Sequence, residues 1–261
     1  VTESFKIPAS FFQMMREETT RCCRTTLFDD RGEITGYCKP LSAASLRISL
    51  MKRQAYCVKF FSWWLGTGSL AIYCNRTTRK INALMLGLES LGLRDKFLEL
   101  LDSKKRLAAH PFLVVLIFCE VLAENQEQNL RTATTRILTL ETTIGVNDYA
   151  ELARGNTGGS LKSLDFDYLN RSLNGELSRL ANYEKWVKSI IALLDTIVKG
   201  TDLDKIPWAD EPATSPFSRQ LTTNMREYAE YLQGWNVDLL ARTVCQQKIV
   251  NGQIQTVLVL P

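Results

Sequence analysis

The side chains able to do chemistry in this 261-residue sequence are few, and carboxylates lead them. Asp165 and Asp167 open a helical pattern, while Asp202, Asp204, Asp210 and Glu211 cluster in the segment before the next one. Hard cations such as Mg²⁺ take a few carboxylate oxygens plus water. Asp165, Asp167, Asp202 and Asp204 are therefore the candidate metal-ligating residues. Acids near a helix N-terminus are also favoured by the helix dipole, which gives Asp165 and Asp167 a simpler structural role. The single histidine, His110, precedes Pro111 at a helix start, where capping or packing is expected. One histidine excludes a His-based triad and a multi-histidine metal site.

Other reactive patterns are weak. Cys22 and Cys23 lie between Arg21 and Arg24, and neighbouring cations favour thiolate. Read as part of a helix over Ser10–Arg24, however, the two thiols point in different directions. The glycines form neither GxGxxG nor GxxxxGK[ST], and no GxSxG is present. The run GNTGGS at 155–160 lacks the Lys-Ser/Thr of a phosphate loop and reads as a linker. These residues point away from an enzyme and require no cofactor, leaving Mg²⁺ as a possible regulatory ion.

Composition agrees with an ordinary globular chain: 45% hydrophobic, 23% charged, net charge +4. The densest basic cluster, Lys104-Lys105-Arg106, has no flanking aromatics, so no nucleic-acid partner is expected. Seven cysteines without a CxxC fit a reducing, intracellular compartment. The sequons at Asn75 and Asn170 then read as chance matches. The first residues lack a secretory pattern, and no apolar run reaches the roughly 20 residues of a membrane span. The longest, Phe112 to Ala123, includes Glu120 and reads as a buried core helix. The chain as given is expected to be soluble.

These residues must be positioned by two kinds of element. Residues 1–107 read as a mixed α/β part. Leu46–Leu50, Ala55–Trp63 and Ser69–Asn75 are strand-like, Gly66-Thr67-Gly68 suggests a hairpin, and Lys80–Leu107 suggests two helical pieces broken near Gly92. Residues 108–261 read as three long helices. The first follows Pro111 and stops at Gly145, with Leu130, Ala133, Ile137, Leu140 and Ile144 in steps of three and four. The second runs Leu164–Lys199, carrying Leu173, Leu177, Leu180, Val187, Ile191, Leu194 and Val198, interrupted only by Glu184. The third opens at Pro216 and extends to about Val257, with Leu221, Met225, Tyr228, Leu232, Trp235 and Leu239. Residues 147–163 and 201–216 read as connectors. The fold class is α+β, predominantly helical: a mixed N-terminal layer followed by a long-helix bundle or stalk.

The order of these features resembles the cytoplasmic part of CorA-type divalent-metal transporters, in the divergent CorA-like proteins of filamentous fungi. The resemblance rests on the His-Pro-plus-apolar opening at 110–119, the Leu-Glu-x-x-x-Gly close at 140–145 and the Leu-Ala-x-x-x-x-Gln run at 240–246. It covers most of the chain from about Ser4, most strongly after residue 108. It implies an α/β sandwich, a terminal stalk helix leading to a membrane span, pentameric self-association and a place at the cytoplasmic face of a membrane. It also implies regulatory Mg²⁺ bound by acids between protomers, with no family motif aligning to a particular acid here. The family's Gly-Met-Asn pore signature and both membrane helices are absent from this sequence. The expected function is therefore that of a cytosolic regulatory domain sensing the ion through subunit association. The alternative is a pore-less helical scaffold or fungal effector acting in the cytosol.

Overall fold

The computed structural model describes residues 21–25, 39–40, 53–62, 66–75, 80–88, 92–110, 112–144, 165–199 and 216–259. Helix predominates among them. Five strands come first: β1 (Arg21–Thr25), β2 (Lys39–Pro40), β3 (Arg53–Ser62), β4 (Gly66–Asn75) and β5 (Lys80–Leu86). Four α-helices follow: α1 (Arg94–Ser103), α2 (Leu113–Ile144), α3 (Phe166–Lys199) and α4 (Pro216–Val259). The chain divides into two compact units. Unit 1 comprises 1–123 and 189–236, and unit 2 comprises 124–188 and 237–261.

In unit 1 the strands form one antiparallel sheet in the order β2-β1-β3-β4-β5. Arg21–Thr25 is a strand where a helix end was expected, and Cys23 pairs with Cys57 of β3. Of these residues only Thr25 is a strand-favouring type, and the two antiparallel neighbours β2 and β3 supply the ladder that decides the conformation. Residues 10–20 and 46–50 lie outside the described residues. Gly66, Thr67 and Gly68 belong to β4 itself, opposite Ser62, Phe61 and Phe60 of β3.

The second correction concerns Lys80–Leu86, which pairs with β4 from Asn75↔Lys80 to Ser69↔Leu86 and is not helical. Ala, Leu and Met give this run a helix-friendly composition, but pairing along its whole length outweighs that weak local preference. The break near Gly92 is present. Gly92 adopts φ 66°, a left-handed conformation that favours glycine. Leu93 N–H then donates to Leu88 C=O at 2.9 Å, turning the chain into α1. That helix buries Phe97, and a 3₁₀ turn at Lys105–Leu107 leads to His110.

The beginning of α2 is buried nearly all round, as expected: Leu113, Val115 through Cys119 and Val121 through Ala123 are all buried. Ile190, Leu194 and Ile197 of α3 and Leu221, Met225 and Leu232 of α4 complete the helical core of unit 1.

In unit 2 the same helices continue with narrower apolar stripes. Leu130, Ala133, Ile137 and Ile144 of α2 are buried, and Leu140 is half-buried. On α3 the buried line is Leu169, Leu173, Glu176, Leu180, Tyr183 and Val187. It is therefore Glu176, not Glu184, that interrupts the apolar seam, and Leu177 is only half-buried. On α4 Leu239, Thr243, Val250, Gln253 and Val257 are buried. The α2 and α4 segments of unit 2 run parallel. Glu127 lies 3.5 Å from Arg242, and Gln253 donates to Glu141 at 2.6 Å, so partner numbers rise together.

The three long helices span 32, 34 and 44 residues. At 1.5 Å per residue the last is about 66 Å long. No helix among the described residues is long and apolar enough to cross a membrane.

Candidate functional site

Asp165 caps α3. Its Oδ1 accepts the Tyr168 backbone N–H at 2.8 Å, and its carbonyl accepts the Leu169 N–H at 3.0 Å. These bonds satisfy amide groups that the first helical turn leaves without intrahelical partners. Asp167 sits in that first turn, is exposed, and offers its backbone carbonyl to Arg171 Nε at 3.2 Å. Asp202, Asp204, Asp210 and Glu211 lie outside the described residues. Among the described residues, no group of three or more His, Cys, Asp or Glu side chains is placed to hold a metal ion.

His110 is buried, and its Nδ1 accepts the Phe112 backbone N–H at 3.2 Å. The imidazole thus orients the start of α2, the packing role expected of it. Its ring centroid lies 5.8 Å from that of Phe112. Burial lowers its pKa from 6.5 to about 4, so the ring is neutral at pH 7.

The polar side chains that come together from distant parts of the chain mostly join helices. In unit 1, Glu120 of α2 receives Lys104 Nζ at 3.0 Å and the Tyr228 hydroxyl of α4, while that ammonium stands 5.0 Å from the Tyr228 ring centroid. Asp195 of α3 accepts Gln233 of α4 at 3.3 Å and pairs with Lys199 at 2.7 Å.

In unit 2, the nearly buried Glu176 pairs through Oε1 with Arg136 of α2 at 3.2 Å and with Arg179 one turn along α3. Burial raises the pKa of neighbouring Tyr183, with the Arg136 charge acting against it. Glu184 accepts Gln247 of α4 at 2.8 Å and also pairs with Lys188. Those two hydrogen bonds, Lys188 first, hold its carboxyl below the usual range.

Compared with known protein families, with curated proteins and with solved structures, the chain gives no match.

Each of these carboxylates has a cationic or amide partner. What the arrangement does chemically is fix the helices against one another. Glu120, Glu176 and Gln253 were not singled out by sequence reasoning. The signal in the sequence is a polar residue recurring at a three-four seam position, and a seam drawn through Leu177 misses Glu176 by one residue.

Among the described residues, five of the eight exposed large hydrophobics lie on α4: Phe217, Tyr231, Val237, Ile249 and Leu258. Phe217 and Tyr231 are separated by about four whole turns and so share a face. The half-buried Trp235 adjoins it, its ring centroid 6.1 Å from that of Tyr231.

Proposed function

We propose that the chain is a non-enzymatic cytosolic regulatory domain of a CorA-like divalent-metal transporter, which senses Mg²⁺ through the association of its subunits. The observation that carries this reading is the exposed aromatic face of α4, Phe217 and Tyr231 beside Trp235, on a helix of 44 residues. Tyr231 and the adjoining Trp235 form a small aromatic patch there, and Phe217 lies on the same side of the helix about four turns earlier, beyond Gln220 and Asn224. The order of elements adds support: antiparallel strands and a short helix, then three long helices with the longest last. Ion binding between subunits would favour the associated state, and loss of the ion would release it. Asp165, Asp167, Asp202 and Asp204 remain the proposed ligands, and pentameric assembly at the cytoplasmic face of a membrane is part of the same proposal.

The same face supports a second reading, a pore-less helical scaffold or effector that holds a different protein. Sedimentation of the chain with and without millimolar Mg²⁺ separates the two. The transporter reading expects Mg²⁺ to drive association, and Tyr231→Glu to abolish it. Mg²⁺ that changes neither sedimentation nor melting temperature overturns that reading. Association that is indifferent to Mg²⁺ but lost in Tyr231→Glu selects the scaffold. A parent reading frame carrying two further apolar segments of about 20 residues would favour the transporter independently.

A further inference from the structure

Buried polar residues are shared unevenly between the two units. Unit 1 holds two, His110 and Asn236, among 21 buried apolar residues, whereas unit 2 holds four among 13, counting the described residues. Those four are Gln126, Glu176, Thr243 and Gln253, and they occupy seam positions on all three helices of unit 2. Gln126 has neither amide atom paired, Glu176 has a bare Oε2 and Gln253 has a bare Oε1; in unit 1 His110 Nε2 and Asn236 Oδ1 are bare as well, within the larger apolar core. Thr243 spends its hydroxyl on the Leu239 carbonyl of its own helix at 2.7 Å, contributing nothing across the seam. A buried polar atom without a partner favours whichever state lets water reach it. Polar residues at seam positions specify which helices pair at the expense of how tightly they pair.

From this we infer that unit 2 opens as one cooperative segment while unit 1 stays folded. Residues 124–144, 166–188 and 237–259 separate together, hydrating Gln126 and Glu176 and transiently exposing Leu130, Ile137 and Leu180. The opening belongs to the class of sub-global transitions in which a supersecondary segment of lower stability leaves the rest intact. Simple fraying would instead give a gradient of stability along each helix.

Native-state amide hydrogen exchange on the full chain at neutral pH tests the inference. The three unit 2 segments should exchange with one common protection factor, at least about tenfold below that of residues 114–123, 190–197 and 221–235, a margin set by the global-to-local spread of opening energies. The double variant Gln126→Leu/Thr243→Val should raise protection in all three unit 2 segments about tenfold or more and leave unit 1 unchanged. Equal protection in the two units, a smooth gradient toward helix ends, or a variant effect on only one helix would overturn it. The wild-type pattern alone decides the matter should the double variant fail to fold.

Discussion

Tyr228 donates its hydroxyl hydrogen to Glu120, a residue 108 positions earlier in the chain, and so ties α4 to α2. Lys104 completes the group by pairing with the same carboxylate and lying over the same ring. Glu120 is 13% exposed, which makes removal of a partner more costly than at the surface. Tyr228→Phe should destabilise the chain by about 1–2 kcal/mol, and Glu120→Ala by about 2–4 kcal/mol because the ammonium loses its counter-charge. Urea titration of the single and double variants should give a coupling of about 0.5–3 kcal/mol. Strictly additive effects would show that the two side chains act separately.

The lone histidine makes the acid response unusually easy to assign. The folded-state pKa of His110 is about 4 against an ordinary 6.5, so the folded chain binds fewer protons than the unfolded chain between these values. The contribution is fully present above pH 6.5 and is lost as pH falls toward 4, with a limiting slope of about 1.4 kcal/mol per pH unit. His110→Asn keeps an acceptor near the position of Nδ1 and removes the titration. Stability measured from pH 7 to pH 5 should fall in the wild type and stay nearly flat in this variant. Parallel pH profiles would assign the acid response to other groups.

Gly234 and Gly252 sit inside α4, and a Cβ built on either meets no heavy atom within 4 Å. Glycine in a helix interior costs about 0.5–1 kcal/mol relative to alanine. Gly234→Ala and Gly252→Ala should each stabilise the chain by that amount, and together nearly additively. A rise in the urea midpoint without a change in slope is the expected readout. Destabilisation by either would indicate that another chain approaches α4 closely at that point.

The long helices were legible because their signals are local and repeated. Pro216 opens α4, Lys199 is the last residue of α3, and Leu130, Ala133, Ile137 and Ile144 keep the three-four spacing that burial follows. The exact face was harder to read. A seam through Leu173 and Leu180 can pass through Glu176 or Leu177, one residue apart, and only packing against Arg136 shows that it passes through Glu176. On α4 the buried line takes Ala229 and Asn236 where the larger Tyr228 and Trp235 had been expected, because small and amide side chains fit the seam while the rings flank it. Lys80–Leu86 looked helical because its ladder partner, β4, is invisible to local propensity. The capping geometry of Asp165 is likewise local to its own turn, which is why a helix-start role could be read from the sequence.

The two possible roles of Asp165 can be separated by one pair of substitutions. As the N-cap of α3 it needs only an oxygen acceptor for the Tyr168 N–H, which asparagine also supplies. Asp165→Ala should therefore cost about 0.5–2 kcal/mol, while Asp165→Asn should lie much closer to the wild type. A Mg²⁺ ligand depends instead on carboxylate charge, which Asp165→Asn removes. If the residue only caps the helix, Mg²⁺-dependent sedimentation of Asp165→Asn will match that of the wild type. If it binds the ion, that variant will keep its helix stability and lose the Mg²⁺ response, and Asp167→Asn should weaken the response as well. Circular dichroism and sedimentation on the same samples measure both quantities, so a loss of response caused by a damaged helix cannot be mistaken for a lost ligand.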